Sequence, residues 1–334
     1  MNHNSKYRTL SHPSFIWLTV LIFVLLSGIS YGKNRETLPV FKVGAQDWQY
    51  VAQEKGWLDK PFAKLGTKIE IVEYGVGNEG ILFERGDLHI AARMLYPTLL
   101  TKIAGFDIVV VQTTKHPDPK IASIVVPIDS PIKTFDDLKG KKIASWRYGC
   151  PYMVLFELIE QHNWDLADIK FVNIPASEYK TVLLSKEVDA ISVHPHIEAA
   201  PLLLTGAARE IAYPTKDSVY VQGGGVVTTF TPRSVAAKYP DVVKLYLKLQ
   251  TQTRRWILKN QDEAARIVEK RRRTPAENSK FSWERTVATW DFEPSYNKVI
   301  TETERTQQWL VKHGDIQADK QVDIKNLFDK NYYR

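Results

Sequence analysis

The stretch at residues 141–159, KKIASWRYGCPYMVLFELI, constrains the fold more than any other. Ile143, Ala144 and Trp146 form a short apolar run entered from Gly140, the pattern of a buried strand. Arg147-Tyr148-Gly149 breaks that pattern. Pro151 suits the first turn of a helix, where a missing N–H costs nothing. Val154, Leu155, Leu158 and Ile159 then recur at helical spacing. A helix that starts directly after a strand turns free N–H groups toward the strand's carboxyl end, and these favour an anion. Arg147 in the same loop adds charged donors. The alternative is an ordinary strand-to-helix turn with a surface arginine.

The same alternation runs through the chain. Strands are expected near residues 40–44, 68–74, 88–92, 108–112, 121–126, 143–146, 169–174, 189–193, 210–213 and 226–230, with helices between them. Beyond Pro232 the pattern is helical, and Tyr246, Trp256, Trp283, Trp290 and Trp309 read as core anchors of that tail. The expectation is an α/β fold of two Rossmann-like lobes, joined by a two-segment hinge and followed by a helical C-terminal tail. Residues 38–127 and 224–334 would form lobe 1 and residues 128–223 lobe 2. The crossings would lie around Val125–Pro127 and Gly223–Val227.

Ligands of doubly wound sheets sit outside the carboxyl ends of the strands. Here those ends supply Gln46, Asp47 and Trp48, then Gly77 and Asn78, then Arg93 and Tyr96, all from lobe 1. Arg147, Tyr148, Gly149, Cys150, His194 and His196 come from lobe 2. Asn78 suits the N-cap of the helix that follows it. Two arginines facing one cleft point to an anion with planar oxygens, such as a carboxylate or sulfonate; a salt bridge of Arg93 within its own lobe is the competing reading. His194 and His196 share a face and suit hydrogen bonding to a ligand. No third residue at metal-ligand spacing accompanies them, so no metal or other cofactor is expected. Trp48, Tyr96, Trp146 and Tyr148 would wall an aromatic ligand or cover the core.

The N-terminus stands apart from this fold. Lys6 and Arg8 precede an apolar run at residues 15–26, and small residues Ser27, Gly28, Ser30 and Gly32 follow. That layout is a secretory signal peptide over residues 1–32, with an uncleaved membrane anchor as the alternative. No cysteine follows the run to accept a lipid. Cys150 is the chain's one cysteine, so no intrachain disulfide forms. Of 45 basic and 38 acidic residues, Lys6 and Arg8 leave with the signal, and the surplus of five is spread out. The dense run Lys270-Arg271-Arg272-Arg273 reads as a solvated helix end, not a nucleic-acid arm. No Walker motif or dinucleotide fingerprint is present.

With these motifs in order, the chain resembles the periplasmic solute-binding proteins of the sulfonate, taurine, nitrate and thiamine-precursor ABC importers. The carrying segments are GDLHIAA, SIVVPIDSPIKTFDDLKGKKIA with the strand, loop and helix after it, KEVDAISVHPHIEAA, and VVKLYLKLQTQTRRWILKNQDEAARIV. The resemblance covers residues 40–323. It implies a periplasmic-binding-protein fold of type II and a clamp that passes a small organic anion to ABC permease and ATPase subunits, with no enzymatic activity and a monomeric state. A sulfonate is the leading solute; aromatic carboxylates and other solutes of the nitrate and taurine receptors come next. The chain departs from the family at Arg93, at Arg147-Tyr148-Gly149-Cys150 and at His194-Pro195-His196, so the chemistry of the site is its own. The resemblance extends to sulfinate desulfinases, which carry a cysteine in the first strand's loop, where this chain has Gln46-Asp47-Trp48. A desulfinase-like enzyme using Cys150 and His194 is therefore the reading of a different class.

Overall fold

In a computed structural model, the structure describes residues 36–333 except 76, 148, 293 and 294. The expected signal peptide at residues 1–32 and Tyr148 lie outside the described residues. The described residues from Thr37 on form one compact unit. Among the described residues, no helix is long and apolar enough to cross a membrane.

The strands are β1 (Val40–Gly44), β2 (Lys68–Val72), β3 (Ala91–Met94), β4 (Ile108–Thr113), β5 (Ser123–Pro127), β6 (Lys142–Ser145), β7 (Lys170–Asn173), β8 (Ala190–Val193), β9 (Ala208–Ala212) and β10 (Val227–Pro232). The α-helices are α1 (Asp47–Glu54), α2 (Asp59–Ala63), α3 (Glu79–Glu84), α4 (Leu95–Ile103), α5 (Cys150–Gln161), α6 (Tyr179–Leu184), α7 (Ala200–Leu204), α8 (Arg233–Lys238), α9 (Pro240–Lys259), α10 (Gln261–Arg272), α11 (Ala276–Thr286) and α12 (Tyr296–Lys312).

Two sheets result. The first has β10 between β3 and β4, antiparallel to both, and the parallel pair β1–β2 joins it through a bridge between Val43 and Ile90. The second has the order β7-β6-β8-β5-β9, with β5 antiparallel to β8 and β9 and the pairs around β6 parallel. Each sheet thus takes one antiparallel strand, and that strand is the first one after the chain changes sheets. The expected boundary at Pro127 needs correction: β5 belongs to the second sheet, because Ile124 and Val125 pair with β8 and β9. The first change of sheet falls in residues 114–122. The second falls between β9 and β10, and it contains a π-helical turn at Tyr220–Gly224.

Those two crossings touch. The His116 ring is 3.2 Å from the Val221 carbonyl oxygen, and a Cβ on Gly225 would lie 3.0 Å from Pro117. Close backbone approach there requires glycine.

The core explains the position of α5. Its first ten residues, Cys150 to Ile159, are all buried. A helix buried on every side packs between layers instead of on a surface. Its side chains share one cluster with Tyr96 and Leu99 of the first sheet's layer and with Trp309 and Leu310 of α12. The outer face of the first sheet packs on α1 and α9 to α11 through Phe41, Trp48, Tyr246 and Ile257. The outer face of the second sheet packs on α6 and α7. The basic run at the end of α10 is partnered: Arg271 and Lys270 bond Glu54, and Arg272 bonds Asp47 at 3.0 Å. These surface ion pairs link α10 to α1, and the run itself stays exposed at the helix end, as expected.

Candidate functional site

A cleft of about 740 Å³ opens at the carboxyl ends of strands from both sheets. The first sheet and its helices contribute Gln46, Arg93, Met94, Arg254 and Trp290; the second contributes Trp146, Gly149, Cys150, His194 and His196. A second cavity of about 420 Å³ adjoins it, and both are lined by Gln46, His196, Ile197, Arg254, Thr286 and Trp290.

Of the residues expected from the sequence, Gln46, Arg93, Gly149, Cys150, His194 and His196 come together on the large cleft. Asp47 and Trp48 line the smaller cavity only. Asp47 is held by Arg272 and by the Trp283 indole N–H at 3.2 Å. Trp48 is buried edge-on against Tyr246, with ring centroids 5.0 Å apart. Its role is therefore core packing, with its N–H donating to Gln46 Oε1 at 3.2 Å.

Four other residues expected at the site fall elsewhere. Tyr96 is fully buried and donates its hydroxyl proton to the Arg147 carbonyl at 3.1 Å. Arg147 extends away from the cleft. Its Nε lies 3.4 Å from Asp315 Oδ1, and its guanidinium lies over the Tyr152 ring. Burial of Asp315 raises its pKa, and Arg147 offsets part of that rise. Gly77 and Asn78 are exposed and off the cleft. Asn78 occupies the N-cap position of α3, yet its side chain caps nothing; Glu79 instead accepts the Gly77 N–H at 3.0 Å.

Arg93 is on the cleft but committed. Its Nη1 pairs with Glu79 Oε1, whose side chain is 2% exposed. A buried carboxylate and guanidinium neutralise each other, so the two-arginine clamp of Arg93 and Arg147 is absent: each has an acidic partner of its own.

The cation that remains is Arg254, on α9. It is 8% exposed and lines both cavities. Among the described residues, no carboxylate pairs with it. One donor, Nη2, reaches Gln46 Oε1 at 2.9 Å, and the guanidinium lies 5.8 Å from the Trp290 ring centroid and 5.7 Å from that of Phe292. Burial pushes its pKa down to about 10, so it stays charged at neutral pH. A guanidinium has five N–H donors, and an uncompensated one is costly to bury. Arg254 therefore presents unspent donors and positive charge to the cavity. The sequence carried a signal for it. Val243, Leu247, Gln250, Arg254 and Ile257 fall on one helical stripe, and an arginine on a buried stripe is unusual.

The histidines sit in the turn after β8. The His194 N–H donates to Glu198 Oε2 at 2.8 Å, and its ring spans from Glu198 to the Met94 sulfur at 3.2 Å. His196 is 5% exposed, and its Nδ1 has no hydrogen-bond partner. Burial holds its pKa well below the usual value, with His194 and Arg285 adding to the effect. It is a neutral donor or acceptor beside Arg254's cavity. Cys150 is buried, its Sγ 3.6 Å from the Gly224 carbonyl, and burial pushes its thiol pKa up. That opposes nucleophilic activation, which requires a thiolate. Among the described residues, no group of three or more His, Cys, Asp or Glu side chains can hold a metal ion.

The sequence matches the NMT1/THI5-like family over residues 48–264. It is 26% identical over 230 residues to a protein of Escherichia coli K12 named as an aliphatic sulfonates-binding protein, covering 62% of this chain and 70% of that one. The fold is similar to that of the periplasmic aliphatic sulphonate binding protein SsuA from Escherichia coli, with a TM-score of 0.74, 19% identity and coverage of 88% and 92%. It is also similar to the alkanesulfonate-binding protein SsuA from Xanthomonas axonopodis pv. citri bound to MOPS, with a TM-score of 0.72, 20% identity and coverage of 84% and 94%. The two-sheet α/β architecture is that of the periplasmic binding proteins, and the chain belongs to the NMT1/THI5-like family.

Proposed function

We propose that the chain is the substrate-binding component of an ABC-type importer, exported through its N-terminal segment to the periplasm, where it binds a small organic anion, with a sulfonate as the leading solute. The observation that carries this reading is Arg254, a buried guanidinium without a carboxylate partner at the junction of two cavities. Gln46 orients it, and His196 and the N-terminal end of α5 add neutral donors on the facing side. The lobes follow the sheets, with the hinge at the two touching crossings. Closure about that hinge would bring His196 and Gly149 onto an anion already held by Arg254, and the loaded form would then dock on permease and ATPase subunits as a monomer.

A desulfinase-like activity finds no support in the thiol, which is buried and held protonated. The test is a thermal-shift screen of short sulfonates, aromatic sulfonates, carboxylates, nitrate and neutral pyrimidines. A ligand that binds only the folded state raises Tm with concentration. Anions alone should raise it. A larger shift from a neutral pyrimidine than from any anion would contradict the reading.

A further inference from the structure

Resting on the anion reading, we propose that the solute carries a planar ring or an equally bulky apolar body, its anionic group at Arg254 and its body in the chamber between Trp146 and Trp290. Size comes first. The chamber measures about 740 Å³ and shares six lining residues with a second cavity of about 420 Å³. A nitrate or a sulfonate head fills only a few water volumes of ~30 Å³ each. Cavities of roughly 300–1,000 Å³ suit drug-sized ligands.

The distribution of charge comes second. Arg93 and Glu198 also line the chamber; Arg93 pairs with Glu79, and Glu198 is held by the His194 N–H on the second sheet's side. The cation on the chamber without a paired carboxylate is Arg254, where the two cavities meet. The apolar lining of the chamber includes Trp146, Met94, Ile121 and Pro97, and Trp290 and Ile197 beside the junction. A short anion leaves water against these apolar faces, whereas an apolar body displaces it. The indoles also offer faces and edges suited to an aromatic ring. Trp290 already lies against the guanidinium, so a ring beside it continues an existing stack.

The experiment holds the head group constant. Calorimetry on the mature chain compares methanesulfonate, 2-naphthalenesulfonate and neutral 2-naphthol, with Trp146→Ala and Arg254→Gln as variants. The aryl sulfonate should bind at least about tenfold tighter than methanesulfonate, a difference of 1.4 kcal/mol. Trp146→Ala should remove most of that advantage. Equal or tighter binding of methanesulfonate overturns the bulky-body proposal and leaves the anion reading standing. That comparison uses the wild type alone, so it holds even if the tryptophan variant fails to fold. Binding of 2-naphthol as tight as that of its sulfonate, or sulfonate affinity untouched by Arg254→Gln, instead overturns the anion reading. Absence of heat with either sulfonate at about 1 mM overturns both.

Discussion

Arg285 of α11 grips Glu210 of β9 with both prongs of its guanidinium, at 2.9 Å for Nη1–Oε1 and 2.7 Å for Nη2–Oε2. Its Nη1 also reaches the Lys120 carbonyl at 3.2 Å, in the first crossing between sheets. One side chain thus ties the C-terminal helices to the second sheet and to a crossing segment. The same helical stretch supplies Thr286, Thr289 and Trp290 to the cleft. The pair is 21% and 10% exposed, so solvent screens it weakly. Arg285→Ala strands a largely buried carboxylate and should lower unfolding stability by roughly 3 kcal/mol. The pair of changes Arg285→Met and Glu210→Leu should recover most of that loss. Urea melts of the three proteins decide it. A double variant as unstable as the single one would show that the charge pair is not the source of the cost.

Arg93 and Arg147 should behave differently when truncated. Arg93→Ala leaves Glu79 buried and unpaired, and a loss of about 3 kcal/mol is expected. Arg147 is about half exposed, and its truncation should cost less than about 1 kcal/mol and leave any ligand-induced Tm shift intact. Melting curves with and without ligand separate the two. Loss of the ligand shift in Arg147→Ala would restore Arg147 to the site.

Glu157 predicts a pH dependence. Its carboxylate accepts the N–H groups of Val219 and Tyr220 at the start of the π-helical turn, at 2.5 Å and 3.2 Å. Burial outweighs those bonds and raises its pKa from 4.5 to about 7. A carboxyl whose folded pKa lies above its unfolded one holds its proton longer in the folded state. Its contribution is therefore complete below about pH 4.5 and is lost as pH rises toward 7. The decline should be on the order of 3 kcal/mol. Subtracting the stability profile of Glu157→Gln from that of the wild type isolates it. A flat difference between pH 4.5 and 7 would contradict the assignment.

Cys150 should react with a thiol reagent only after unfolding, because it is buried and its thiol is held protonated. Cys150→Ser should keep ligand affinity within about threefold, well inside a tenfold step of 1.4 kcal/mol. Rapid labelling of the folded protein would contradict the sealed geometry.

The sequence made some of this architecture legible and hid the rest for identifiable reasons. β1, β4 and α3 fall where periodicity places them, within a residue or two. The strand, loop and helix at residues 140–161 stand as read, because Gly140, Pro151 and the apolar run are local signals. Which sheet a strand joins is not local. β5 is buried on both faces, and pairing partners 66 to 88 residues downstream, in β8 and β9, decide its membership. The π-helical turn at Tyr220–Gly224 has a glycine-rich sequence that reads as a break; Glu157 accepts N–H groups at its start, from 62 residues away. At the site, strand-end residues such as Gln46 and His196 were legible by position. The charge balance was not, because Glu79 and Asp315 neutralise Arg93 and Arg147 through contacts that spacing does not reveal. Arg254 lies on a helix of the tail, away from any strand end, so a search along strand ends passes over it.

The central claim is that Arg254 holds the solute's anionic group. Calorimetric titration of wild type and Arg254→Gln with the sulfonate that gives the largest Tm shift tests it most directly. Each hydrogen bond to a charged group contributes about 1.5–3 kcal/mol. The variant should therefore bind about ten- to a hundredfold more weakly while remaining folded. Unchanged affinity in a folded variant would contradict the claim and move the anion to another part of the cleft.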